Sequence, residues 1–221
     1  MDRIREGLAE GGSAWFSAFQ TAGKGQRGRV WASAPGRNIA LSVVLQPEGY
    51  LKSGKFHLNA LVGLSCLQFL RTLHPEGFSL KWPNDLYWND RKAGGILIEA
   101  VMSGAERKWI VIGIGINVNQ LSFPEVNDDP VSLKEITGRD HDPEALARAL
   151  HEKLLYDLEH TSEETIMKSY NEELYMRGQL VKLKKGNVTF STRIKEVNEF
   201  GNLLTEDATE HSFSVGEVEW V

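Results

Sequence analysis

Cysteine is nearly absent. Cys66 is the only one among 221 residues, so no disulfide can close within the chain and a reducing compartment is expected. It lies in the apolar run Leu64 to Leu70, which reads as a packed helix with a buried thiol. No run of about 18 apolar residues occurs, and the opening MDRIREGLAEGG lacks the apolar stretch of a signal peptide. A soluble cytoplasmic protein is therefore predicted. Positive charge is not in excess either: 25 Lys and Arg face 30 Asp and Glu, a net charge of −5. That excludes a global field drawing the molecule to nucleic acid or anionic lipid, and any basic patch must be local. The six histidines, at 57, 74, 141, 151, 160 and 211, have no ligand spacing, so no protein metal cluster is predicted. A G-x-S-x-G elbow, a catalytic cysteine context and a Walker A loop are all missing.

What is present suits one larger unit and one small one. Ile4 and Leu8 recur at helical spacing from Asp2 to Glu10 and stop at Gly11-Gly12. β-Forming residues follow at 15–19 and 38–46, separated by the glycine-rich basic segment 23–29. From Phe56 to Leu73 apolar residues every third or fourth position predict a helix burying one face. Runs near Ser79–Trp82, Ile96–Met102 and Trp109–Val118 are short enough for strands. Asp142-Pro143-Glu144 reads as a helix start, and a second amphipathic segment runs from Glu163 to Met176. After Arg177 come roughly five short β-like runs. The fold class predicted is α+β: a mixed β-sheet domain with helices on one face over residues 1–176, and a small SH3-like β-barrel over 177–221.

Three stretches could carry chemistry. Gly23, Gly25 and Gly28 fit G-x-G-x-x-G, but a dinucleotide-binding fold needs a helix directly afterwards, and Val30, Trp31, Pro35 and Gly36 do not allow one. What remains is a flexible loop with Lys24, Arg27 and Arg29, able to close around an anion or to lie as a solvated basic loop. Residues 81–85, Lys-Trp-Pro-Asn-Asp, precede Lys92 and Gly94-Gly95; a hairpin with Asn89-Asp90 at its tip is predicted there, with or without a site at its strand end. Gly113 and Gly115 admit something bulky against a strand that ends on Asn117, which is otherwise a buried strand packing on a helix.

Taken together, the segments 20–31, 81–87, 91–99 and 113–119 resemble the signature of the biotin protein ligases, in that family's order and spacing. The resemblance spans nearly the whole chain. It implies a ligase of the type without a DNA-binding domain, which uses ATP, magnesium and biotin and modifies a lysine of a biotin carboxyl carrier protein of a carboxylase. By similarity Gln20, Gly23, Lys24, Gly25, Gln26 and Gly95 line the biotin side, Arg29, Trp31, Asn84 and Asn117 serve the nucleotide, and Lys92 stands at their junction. Lys92, Asp85 and Arg29 are the implied catalytic groups, with Asn84 and Asp85 facing ATP and its magnesium. The resemblance implies neither DNA nor a membrane as partner; a homodimer is compatible with it.

The chain departs from the family pattern at Lys24, where arginine is frequent, and at Gln26, a known variant; Lys24 keeps the charge without the bidentate geometry. The family also opens with a strand and a Ser-Thr-Asn segment that contacts biotin, whereas Met1-Asp2-Arg3 stands where that segment should end. A mis-set start and a true loss of one strand are both open, and the backbone groups a lost strand would leave unpaired favour the first. The competing functions are a lipoate or octanoate ligase or transferase of the same fold, a biotin-binding protein impaired in catalysis, and a nucleic-acid binder using the basic loop.

Overall fold

Apolar side chains alternate along the segments beginning at Asn38 and Arg107, and these two strands form the middle of the larger sheet. In the computed structural model, which describes residues 4, 9–46, 54–103, 107–123 and 129–221, that sheet consists of β1 (Ala14–Phe16), β2 (Asn38–Leu45), β3 (Phe78–Lys81), β4 (Asp85–Trp88), β5 (Arg91–Ser103) and β6 (Arg107–Asn117). Their order is β1-β2-β6-β5-β4-β3. Every pairing between these strands is antiparallel, so the expectation of a mixed sheet is corrected. The physical reason is connectivity: β3, β4, β5 and β6 follow one another through short turns, which can join only antiparallel neighbours.

One face of the sheet is the core. Ile39, Leu41, Val43 and Leu45 of β2 stand opposite Ile116, Ile114, Ile112 and Ile110 of β6, each burial worth about 1.5–3 kcal/mol. The helices α1 (Lys55–Leu73), α2 (Leu133–Thr137), α3 (Pro143–His160) and α4 (Glu163–Glu172) complete the layer. α1 packs on β3, β4 and β5, and α3 on β1 and β2. The sequence predicts α1 to bury one face, but it is buried on most sides, Cys66 included, because α3 and α4 close over it. Asp142 caps α3 as expected, its carboxylate accepting from the amides of Glu144 and Ala145.

The helix predicted to run from Glu163 to Met176 ends at Glu172. Beyond it the chain turns, and an isolated bridge docks Leu174 on β3: the Leu80 amide donates to the Glu173 carbonyl and the Tyr175 amide to the Leu80 carbonyl. Those bonds satisfy an edge strand better than another helical turn would. Of the helix predicted over Asp2 to Glu10, only Ile4, Ala9 and Glu10 fall within the described residues; Ile4 is buried.

After Met176 a second antiparallel sheet forms from β7 (Leu180–Lys185), β8 (Val188–Val197), β9 (Leu203–Glu206), β10 (Glu210–Phe213) and β11 (Glu219–Trp220), in the order β10-β9-β8-β7-β11. The two sheets are clasped by reciprocal tryptophans. The Trp82 indole donates to the Gly201 carbonyl at 2.9 Å, and the Trp220 indole donates to the Trp82 carbonyl at 3.2 Å. Buried Asn171 of α4 adds both an accepted and a donated bond to the backbone of Val197. Among the described residues no helix is long and apolar enough to cross a membrane.

Candidate active site

The face of the larger sheet opposite the helices has small residues, Ala40, Ser42, Gly95, Gly113 and Gly115, at its centre. Directly opposed residues share a face, so the pairing register places Ala40, Gly115, Gly95, Asp85 and Lys81 in one row from β2 to β3. A second row holds Ser42, Gly113 and Leu97, and a third Val44, Val111 and Glu99. Above these rows lies a cleft of about 660 Å³. All twelve site residues singled out from the sequence line it: Gln20, Gly23, Lys24, Gly25, Gln26, Arg29, Trp31, Asn84, Asp85, Lys92, Gly95 and Asn117.

The glycine-rich segment forms a tight hairpin over this floor, which agrees with rejecting a dinucleotide-binding helix. Lys24 bridges Val30, the Gly25 amide donates to the Arg29 carbonyl at 2.8 Å, and the Trp31 amide donates to the Gly23 carbonyl at 3.0 Å. Gln26–Gly28 make a single 3-10 turn whose middle residue, Arg27, is left-handed at φ 56°. Gly23 is dictated by space, since a Cβ there would lie 2.4 Å from the Trp31 carbonyl oxygen. The hairpin lays the Trp31 indole flat on β6: a Cβ on Gly115 would meet its ring carbons at 2.6 and 2.7 Å. The bulky group that Gly115 admits is therefore the protein's own tryptophan. Its indole N–H is buried with no hydrogen-bond partner.

At the other end of the floor Lys92 Nζ lies 2.9 Å from Asp85 Oδ2, both side chains mostly shielded. The lysine is held by its backbone. Its amide donates to the Asp129 carbonyl, and its own carbonyl accepts from the Val131 amide and from the Asn117 side chain. The Asn117 amide group also donates to the Val131 carbonyl, and the Asn84 amide group to the Ile96 carbonyl. Both asparagines thus fix strand ends beside the cleft through their NH2 groups.

Several lining groups escaped the sequence reading. Lys81 donates to the Tyr87 hydroxyl at 2.9 Å and sits 4.4 Å from that ring, 5.5 Å from Tyr175 and 5.0 Å from Trp220, an arrangement favourable for a cation. Burial first, and then the bond to Asp90, push the Tyr175 hydroxyl up to about 12. Gly216, Val218, Glu219 and Trp220 bring the C-terminal sheet to the rim, and Glu99 reaches it from β5. Trp220 lies 138 residues from its partner Trp82, and no local pattern signals such a contact. The buried pair Asn38 and Gln120, bonded at 2.6 Å, anchors the Ala34 amide beside the hairpin; a partner search among polar residues at strand ends is the only signal that could have found it. In all, the lining carries five cationic side chains, Lys24, Arg27, Arg29, Lys81 and Lys92, against the carboxylates Asp85, Glu99 and Glu219. The local basic patch exists within a chain of net charge −5.

A model of the biotin/lipoate A/B protein ligase family matches residues 1–117. The bifunctional ligase/repressor BirA of Escherichia coli is 37% identical over 161 residues, 72% of this chain and 49% of that protein. A biotin–[acetyl-CoA-carboxylase] ligase of Paracoccus denitrificans is 36% identical over 150 residues, 64% of this chain and 60% of that protein. The chain thus spans about half the length of the first curated relatives it matches. Among solved structures, a biotin protein ligase from Aquifex aeolicus in complex with biotin and ATP superposes with a TM-score of 0.82 at 30% identity, covering 99% of this chain and 92% of that one.

Proposed function

The chain belongs to the biotin/lipoate A/B protein ligase family, and we propose that it activates biotin with ATP and transfers the biotinyl group to a lysine of a biotin carboxyl carrier domain. The observation that carries this reading is the cleft, net cationic in a net-anionic protein, with Gly95 and Gly113 in its floor, where a flat or extended ligand can lie close to backbone. Such a site suits a carboxylate and a triphosphate brought end to end. Biotin lies under the hairpin on the side of Gln20, Gly23, Lys24, Gly25 and Gln26, with Gly95 beneath it. The nucleotide takes the side of Arg29, Trp31, Asn84 and Asn117, where the unpartnered Trp31 N–H offers a donor.

In the first half-reaction a biotin carboxylate oxygen bonds to the α-phosphorus while the bond to the β-phosphate oxygen breaks and pyrophosphate leaves. In the second, the acceptor amine bonds to the acyl carbon, the acyl–oxygen bond breaks, AMP leaves and the amine gives up its proton to solvent. Charge builds on oxygens around one point in both steps, and the compact Lys92 ammonium, fixed by its backbone and by Asp85, stabilises it there; Arg29 adds a planar donor on the phosphate side. Neither step needs a side-chain nucleophile, and positioning does much of the work. Magnesium fits as a phosphate-borne ion. Among the described residues no three His, Cys, Asp or Glu surround a common point; Asp85, the cleft carboxylate beside Lys92, would hold the ion, with phosphate oxygens and water supplying the other ligands. Bound there, the ion supplies charge neutralisation of the phosphates.

We read residues 1–176 as the catalytic domain and 177–221 as an SH3-like barrel whose five strands wall one side of the cleft. The test is to incubate the protein with biotin, Mg-ATP and a biotin carboxyl carrier domain and to weigh the acceptor by mass spectrometry, with lipoate and octanoate in parallel. One biotin on one lysine is the expected result. Modification by lipoate or octanoate alone, or tight biotin binding without pyrophosphate release, overturns it.

A further inference from the structure

The hairpin that covers the cleft meets the C-terminal sheet at Gly216. A Cβ on Gly216 would lie 2.6 Å from Arg27 Cζ and 2.8 Å from both Nε and Nη1, so the guanidinium plane rests directly on the Gly216 backbone. Only glycine meets both demands there, since Gly216 also stands at φ 87°. Arg27 is itself in the left-handed region at φ 56°, a conformation that a non-glycine residue holds only when its surroundings impose it. Among the described residues no ion pair or hydrogen bond occupies its guanidinium, which leaves the stacking on Gly216 as its structural engagement. Gly216 belongs to the turn before β11, and β11 carries Trp220, which is clasped to Trp82. The hairpin tip is thus fastened, through Gly216 and Trp220, to residues 81–82 at the far end of the floor.

We infer that Arg27 is a positioning residue: by stacking on Gly216 it ties the ligand hairpin to the C-terminal sheet and so holds Gly25, Gln26 and Trp31 over the cleft. The inference builds on the reaction proposed above, but its first readout does not depend on that reaction. Hydrogen–deuterium exchange would be measured on the full chain for peptides covering residues 20–31, in the parent, in Arg27→Asn, in Gly216→Ala and in the double variant. Asparagine removes the guanidinium while tolerating the left-handed backbone, so the comparison isolates the contact. Expected is exchange at Gly25 and Trp31 faster by about fivefold or more in Arg27→Asn, with peptides of α1 unchanged. Gly216→Ala should raise exchange in the same peptides, and the double variant should be no worse there than Arg27→Asn: the positive-φ penalty on alanine remains, but it falls on the turn before β11, and without the guanidinium the hairpin no longer feels it.

In biotin-dependent ATP–pyrophosphate exchange, Arg27→Asn should raise the KM for ATP about fivefold while kcat stays within about twofold, a split that general loss of fold would not give. Unchanged hairpin exchange in Arg27→Asn, or additive effects in the double variant, overturns the inference. A parent that exchanges no pyrophosphate refutes the proposed reaction instead, and the deuterium result still decides the role of Arg27.

Discussion

Gly115→Ala should separate the two jobs of β6. Its α-carbon lies in the sheet while its missing side chain would face the cleft, where the methyl would sit 2.6, 2.7 and 3.0 Å from three carbons of the Trp31 indole. Overlap of that order costs about 1–3 kcal/mol when a core is overpacked. Here it is relieved more easily on one side: the sheet is fixed by both neighbouring strands, whereas Trp31 rides on a hairpin held by the Lys24–Val30 bridge and the Arg27–Gly216 contact. The indole therefore moves and β6 stays. The loss falls on the nucleotide side of the site, and about 1–3 kcal/mol corresponds to roughly a 5- to 150-fold weaker Kd for ATP, while Tm drops by no more than about 4 °C. Gly113→Ala is the control two residues away on the same face, since its methyl would meet only the Leu97 carbonyl at 3.5 Å and Leu97 Cβ at 3.8 Å, ordinary contacts. Titration calorimetry with ATP and a thermal melt on both variants provide the assay, and in a Trp31→Ala background the added penalty of Gly115→Ala should vanish. Equal ATP affinity in the parent and in Gly115→Ala, or a penalty that persists without Trp31, would refute the reasoning.

Lys92→Ala should lower biotin-dependent ATP–pyrophosphate exchange by about 10²–10³-fold, the range for removing one charge-stabilising group, with an unchanged circular dichroism spectrum; retained exchange removes Lys92 from its role. Cys66 should resist iodoacetamide at pH 8 in the native protein and react only on unfolding, because burial pushes its thiol up from 9.0 to about 12. The same shift makes the folded state favour the protonated thiol, so this contribution to stability is complete below about pH 9 and is lost as pH rises toward 12, which denaturant melts of the parent and of Cys66→Ala across that window would show. Gly201→Ala places a methyl 2.5 Å from the Phe56 ring at φ 83°, and should destabilise the protein by about 2–3 kcal/mol in urea unfolding; a loss below about 0.5 kcal/mol would mean that the contact between α1 and the C-terminal sheet yields freely.

How far the sequence reached depended on whether a feature is local. Strand alternation, the Asp142 cap, the hairpin tip at Asn89-Asp90 and the glycine loop are short-range patterns whose causes lie within a few residues, and the structure places them where the pattern does, except that the first strand covers Ala14–Phe16 rather than 15–19. The twelve predicted site residues share one cleft because three of their four segments lie on adjacent strands, so that family order in the chain becomes neighbourhood in the sheet. The failures share a cause as well. Parallel and antiparallel pairing differ in connectivity, not in composition, so the apolar runs of β5 and β6 could not exclude a mixed sheet. Helix α4 stops at Glu172 because β3 offers backbone partners to Glu173 and Tyr175, although the sequence continues its helical period. Lys81 falls in a run read only as a strand, yet its environment is built by Tyr87, Tyr175 and Trp220 from three separate segments. Beyond these misses, Asn84 and Asn117, read as serving the nucleotide, prove also to hold the backbone of Ile96, Lys92 and Val131 through their amide groups. A motif residue can therefore be indispensable to a site by holding the strand that presents the chemistry, and sequence alone does not distinguish the residue that touches a ligand from the one that holds its neighbour.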